Sequence, residues 1–384
     1  MKENPSKIRI FRLAVLFFWF SQYTYVPNLS SYLKELGASL TLIGIVTGSY
    51  GFTQMVARIP LGILSDRIGK RKIFVSLGFL LSFVSNMLFL LFRNDVMLVI
   101  ARGTAGLAAS AWVVITVLYS SYFSQGTTTR SISGLNAVNN LGRLLGMLLA
   151  GIALVFFSGY RAMFWVGAAG AAIAFILSLS IEENVPEKRN PMTLRRFLYV
   201  IRDRKLLLIS LAALLSQIYN TSTVSGFTPL FAAELGADSF MRSILNVVNI
   251  AMGILGALLA GRISSEKGRE KGFLIVSIIC LCIATAGIPF ARNLPGLFLL
   301  QAAGGLFFGG ISSLLMGLAI RHIPGDQRST AMGFYQAIYG IGMFLGPVIV
   351  GRIGDAYGLK IGYYVVAVFL LFMIPLISAW AAKE

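Results

Sequence analysis

The chain has 384 residues, 57% of them hydrophobic and 12% charged, with a net charge of +18. Soluble domains carry nearer a quarter charged residues, so an apolar excess of this size needs lipid as its solvent. The basic residues fall between apolar runs and form no continuous stripe, which excludes a nucleic-acid surface.

The N-terminus is short and basic and turns apolar at Phe11. That run is long and lacks a small-residue cleavage site, so it reads as an uncleaved first helix rather than a signal peptide. Apolar runs long enough to cross a bilayer then follow one another. The predicted spans are 10–33, 41–63, 73–92, 96–119, 131–157, 160–181, 206–231, 241–262, 273–291, 296–320, 330–353 and 360–381. One substantial polar stretch, 182–205, separates the sixth span from the seventh. The expected organisation is therefore a six-helix bundle over 1–181, a linker, and a second six-helix bundle over 206–384. The class is an all-α membrane protein with twelve transmembrane helices.

Charge orients the spans. Lys34, Arg93, Arg161, Arg242, Arg292, Arg352 and Lys360 lie on one side, and about 23 Lys and Arg lie in segments on the other. The positive-inside rule places both termini and the central linker in the cytoplasm, with the inner membrane as the expected location.

The two halves repeat each other. A shift of 199 residues carries Glu35-Leu36-Gly37-Ala38 onto Glu234-Leu235-Gly236-Ala237, and Arg93-Asn94 onto Arg292-Asn293. One more residue of shift pairs Gly142, Gly146 and Gly151 with Gly342, Gly346 and Gly351. Six spans per half keep both halves in one orientation, so the repeats are parallel. A solute site between such repeats, near the midplane, is the architecture this predicts.

After the second span comes Gly62-Ile-Leu-Ser-Asp66-Arg67-Ile-Gly69-Lys70-Arg71-Lys72. Gly62 permits close helix packing, Asp66 suits the positive end of a neighbouring helix, and the basic residues suit anionic lipid. The segment resembles the loop 2–3 signature of the major facilitator superfamily at every defined position. The resemblance implies a solute transporter in which Asp66 meets helix 11 and latches one conformation. Gly62, Asp66, Arg67, Gly69, Lys70 and Arg71 would form that latch. In the second half the copy is eroded, with Ser265 in place of the aspartate. Arg102 followed by Gly106 looks like the arginine motif of proton-coupled drug antiporters. Their Gly-Pro signature is absent from helix 5, where Met147 stands for the proline; Gly346-Pro347 in helix 11 is the better match.

Ionisable groups inside a span are costly and are functional candidates by default. Arg58, Arg102 and Arg143 qualify, whereas every Asp and Glu falls in a loop or at a span end. Polar stripes at helical spacing mark the other candidates. They are Gln22 and Tyr25 on helix 1, Tyr50 and Gln54 on helix 2, and Asn136 and Asn139 on helix 5. In the second half they are Gln217 and Asn220 on helix 7, Asn246 and Asn249 on helix 8, and Gln336 and Tyr339 on helix 11. With Arg102 and Arg143 these are the expected substrate contacts. The resemblance puts helices 3, 6, 9 and 12 outside the cavity, and those spans are nearly devoid of such stripes. Neither cofactor nor metal site is expected: Cys280 and Cys282 are poorly placed to bridge, and there is neither a metal spacing nor a nucleophile–base pair. The expected partners are a small solute, membrane lipid, and a coupling proton or counter-substrate, with the protein a monomer. Unpaired arginines favour an organic anion or polar metabolite as solute. The alternative is a proton-coupled exporter of amphipathic compounds, which the Arg102 motif, Trp19, Trp112 and Tyr335 favour.

Overall fold

The computed structural model describes residues 5–123, 128–157, 159–183, 202–263, 269–324 and 327–382. Most of the 182–205 linker, with Arg195 and Arg196, lies outside them, as do Ser265 and Gly268.

Helices make up the fold, and no strand occurs among the described residues. The spans are α1 (Pro5–Tyr23), α2 (Leu40–Ile68), α3 (Arg71–Leu91), α4 (Asp95–Ser110, continued by Trp112–Ser120), α5 (Thr128–Phe156) and α6 (Arg161–Leu179). Then come α7 (Arg204–Tyr219), α8 (Ser239–Ile263), α9 (Glu270–Gly287), α10 (Leu294–Arg321), α11 (Arg328–Tyr357) and α12 (Leu359–Leu371, continued by Met373–Ala381). Eleven of these twelve are long and apolar enough to cross a membrane. The exception is α1, whose first turns carry Lys7, Arg9 and Arg12. Leu91, Phe156, Leu258, Ile283 and Leu299 are more than 60% exposed, as lipid-facing side chains should be.

Two spans are less regular than the periodicity predicts. After α1 the chain makes a 3₁₀ turn over Val26–Asn28 and a short helix over Leu29–Glu35. Pro27 has no N–H to donate, so the helix is interrupted there. Beyond α7 the helix widens into π turns over Asn220–Phe227 before closing as Thr228–Glu234.

The repeat has a structural cause at several points. Asn94 caps α4 by accepting from the Met97 N–H at 3.0 Å, and its counterpart Asn293 caps α10 by accepting from the Gly296 N–H at 2.9 Å. Gly37 and Gly236 both turn the chain in the left-handed region, at φ 85° and 90°. A side chain at Gly142 or Gly146 would overlap the Leu16 or Phe20 carbonyl of α1. One at Gly342 would overlap the Leu214 carbonyl of α7, and one at Gly346 would press on the Ile218 backbone. The same close helix contact is thus built twice.

The residues gather into two compact units, Met1–Pro27 with Val56–Pro191, and Asn28–Met55 with Met192–Glu384. In the first, Phe18 packs on Phe79 at 4.8 Å and Phe89 stacks on Phe164 at 4.8 Å. A polar seam also runs through it. The Ser21 and Ser82 hydroxyls lie 3.0 Å apart, Gln22 donates to Ser82 at 3.1 Å, and Asn86 donates to Ser21 at 3.1 Å. So α3, read as nearly free of polar stripes, contributes a buried one that faces α1. In the second unit, Tyr363 packs against Phe231 at 6.3 Å and Tyr219 against Phe308 at 5.7 Å.

Candidate functional site

In the first unit the polar candidates divide into two groups. Arg102 is 5% exposed, and its Nη1 donates to the Tyr25 hydroxyl at 2.9 Å. The Tyr25 ring packs against the stacked pair Phe89 and Phe164, at 5.2 and 5.5 Å. Burial of a charge demands such hydrogen bonds. Gln22 is 1% exposed and bonds α3 through Ser82. These three side chains join helices to one another.

Arg143 is held differently. Its guanidinium sits 4.3 Å from the centroid of the Tyr23 ring, a cation–π contact. Nη1 reaches the Asn140 side-chain oxygen at a long 3.4 Å, and Nε has no hydrogen-bond partner among the described residues. The Asn139 side-chain oxygen and the Trp19 indole N–H are likewise buried without a partner there. Asn136 is exposed on α5. Trp19 meets Tyr23 at 6.1 Å and Trp112 edge-on at 5.5 Å. Tyr23 was missed by the reading of polar stripes, although its place four residues after Trp19 puts the two rings on one helix face. The result is a cluster of aromatic faces and underused polar atoms on α1, α4 and α5, with an arginine at its edge.

In the second unit, Asn220 donates to the Gln217 side chain at 3.2 Å along α7, where the π turns begin. Asn246 donates to the Arg242 carbonyl one turn back, at 3.3 Å. Asn249 donates to the Gln301 carbonyl at 2.9 Å and to its side chain at 3.2 Å, tying α8 to α10. Tyr50 and Gln54 are buried on α2. Gln336 is half-buried on α11, and Tyr339 meets Tyr335 edge-on at 5.5 Å.

The Gly62–Lys72 segment closes α2 and opens α3. Gly69 turns the chain at φ 71° after α2 ends at Ile68. Arg67 and Lys70 are exposed. Arg71 is 7% exposed and its N–H donates to the Glu183 carboxylate, while Lys72 donates to the Leu179 carbonyl at 2.7 Å. The Lys72 side chain therefore binds the end of α6 rather than reaching freely for headgroups, and the Arg71 backbone is tied to Glu183 just beyond it. The side chain of Asp66 lies outside the described residues. Nearby, Lys7 pairs with Glu182 and the Tyr122 hydroxyl donates to the Glu182 carbonyl. Burial and the Glu182 carboxylate push the Tyr122 phenol up to about 12. Among the described residues no group of His, Cys, Asp and Glu could hold a metal.

These features define a multi-pass α-helical membrane protein with polar clusters inside each unit. The sequence profile of the Major Facilitator Superfamily matches residues 12–269 and 209–384. The chain belongs to that superfamily. It is a membrane transporter of a small molecule, not an enzyme. A bacterial homologue of the human lysosomal transporter Spinster, inward-facing and unoccupied, superposes with a TM-score of 0.83 at 15% identity, over 99% of this chain and 98% of that one. The nucleoside transporter NupG superposes with a TM-score of 0.79 at 16% identity, over 98% of this chain and 99% of that one. At these identities the likeness concerns the fold.

Proposed function

We propose that the protein is a secondary transporter working by alternating access between two six-helix halves, and that its solute carries a carboxylate or phosphate. The observation that carries this reading is Arg143, stacked on Tyr23 with its Nε unbonded. A guanidinium offers five donors and binds carboxylate or phosphate in a two-pronged fashion. Helix 5 supplies no acid to satisfy it. In a site of low dielectric that positive potential is strengthened, so an anion is attracted and a lipophilic cation repelled. Arg102 has a role within the fold instead, through Tyr25. The membrane is the cytoplasmic one, with both termini inside, by the distribution of Lys and Arg. Asp66 is the inner latch implied by its motif.

The test is a binding panel of matched anionic, neutral and cationic compounds on purified protein, a nucleoside and its monophosphate among them. Arg143→Gln should raise Kd for the anion roughly tenfold or more, since hydrogen bonds to charged groups contribute about 1.5–3 kcal/mol. It should leave a neutral ligand nearly unaffected. Preferential binding of cations, unchanged in Arg143→Gln, would overturn the anion assignment and restore the exporter reading.

A further inference from the structure

The first residues of α2 are bound by a carboxylate 315 positions away in sequence. Asp355, near the end of α11, accepts from the Leu40 N–H at 2.9 Å with one oxygen. Its other oxygen accepts from the Thr41 N–H at 2.8 Å and the Thr41 hydroxyl at 2.6 Å. These N–H groups open the helix and have no partner within it. The carboxylate satisfies two of them and meets the positive end of the helix dipole.

The contact continues beyond that point. A side chain at Gly351 would overlap the Leu40 carbonyl, and one at Gly44 the Pro347 carbonyl. Phe52 meets Phe344 at 5.2 Å. The segment before α2 is tied to the same half of the sequence. Arg242 on α8 donates from Nε to the Asn28 side chain at 2.8 Å. Asn28 in turn donates to the Ser239 carbonyl at 3.2 Å and the Ser243 hydroxyl at 3.3 Å. Ser30 donates to the Gly226 carbonyl in the π turns that extend α7. Residues 28–55 accordingly belong to the compact unit built by residues 192–384.

We propose that Asp355 is a latch at the end of α2 opposite the Gly62–Lys72 motif. It holds the entry end of α2 against the exit end of α11, and it must release before the two helices part on that side. The seam from Asn28 to Thr41 parts with it. The inference rests on the alternating-access reading, which requires the halves to separate at each end in turn. Two features suit a latch rather than a permanent bond. Asp355 sits at the exposed rim, so water can take its place on the N–H groups when it leaves. Its bonds also end on backbone N–H groups at a helix terminus, an interaction small enough to break within a transport cycle.

The test needs no substrate. The full-length protein, with Cys280→Ser and Cys282→Ser, carries Ser243→Cys as a reporter. Ser243 is 0% exposed and sits under Asn28 in the seam. The rate of maleimide labelling in detergent reports how often the seam opens. Asp355→Ala should raise that rate by roughly 2- to 30-fold, the span set by a charge at a helix terminus. Thr41→Val, which removes only the hydroxyl, should raise it less, and Asp355→Glu should restore part of the protection. Gly51→Trp serves as a wedge, because even a Cβ there would press on Met343 at 2.5 Å. Unchanged labelling in Asp355→Ala, with fast labelling in the wedge variant, would overturn the latch and leave alternating access standing. Slow labelling in both would overturn alternating access at this end and the latch with it. Should Asp355→Ala fail to yield monodisperse protein, Asp355→Asn, which keeps one of the two acceptor oxygens and removes the charge, is read in the same way.

Discussion

Arg102 on α4 and Tyr25, just past the end of α1, form a buried pair. The Arg102 Nη1 donates to the Tyr25 hydroxyl at 2.9 Å, and the guanidinium carbon lies 5.2 Å from the centroid of the same ring. An arginine that the motif marks as a transport residue is therefore engaged with an aromatic residue of the first span. The pair separates two roles that a polar stripe alone leaves merged.

Removing the phenol tests that role. Tyr25→Phe keeps the ring against Phe89 and Phe164 but deletes the acceptor. Hydrogen bonds to charged groups contribute about 1.5–3 kcal/mol. The expected outcome is a lower midpoint of thermal unfolding in detergent, with solute affinity changed less than twofold. Arg143→Gln should show the opposite pattern, a large loss of affinity with little loss of stability.

The duplicated caps make a paired prediction. Asn94→Ala and Asn293→Ala each remove the acceptor that opens α4 and α10. Each should cost about 0.5–2 kcal/mol, and the two costs should be similar. Unfolding midpoints of the single variants check this, and the double variant should be additive, since the caps share no partner.

Asp203 supplies a pH signature. Burial works against its charge, yet the Leu206 N–H at 2.7 Å and the His322 ring at 2.9 Å outweigh that and hold the carboxyl below the ordinary aspartate range. A carboxyl depressed in the folded state stabilises the fold above its unfolded pKa, and that gain is lost as pH falls through the folded value. Asp203→Asn keeps the cap oxygen and removes the charge. It should lower the unfolding midpoint at pH 7, and the gap from the parent should close as the medium is acidified past the aspartate range.

The linker gives a topological prediction. Arg195→Cys should resist an impermeant thiol reagent added to intact cells and react once the membrane is opened. Ready labelling from outside would reverse the assigned orientation.

Much of the fold is legible along the chain because a membrane leaves few options. Spans must be apolar and about 20 residues long, and charge must sit at their ends. The matched Arg93-Asn94 and Arg292-Asn293 already point to repeated helix starts. Other features need partners that lie far apart in sequence. Asp355 reads as a loop acid until Thr41 is seen beside it. Helix 3 reads as nearly devoid of polar stripes until Ser82 and Asn86 are seen to meet Gln22 and Ser21. Asn249 reads as a cavity amide, although its donor is spent on Gln301. The interruption at Val26–Asn28 is signalled by Pro27, whereas the widening of α7 has no comparable breaker in Asn220–Phe227 beyond Gly226.

The paired contacts of Gly142 and Gly146 with α1, and of Gly342 and Gly346 with α7, bear on how mutational maps of this transporter should be interpreted. A side chain at any of them meets backbone of the facing segment, and at Gly346 the Ser222 hydroxyl as well, so the helices could not close to this distance. Such variants will be lost during biosynthesis, before any solute is met. In a growth-based screen they will score beside Arg143 as inactive, and only a measurement of protein abundance in the membrane will tell the two kinds of defect apart.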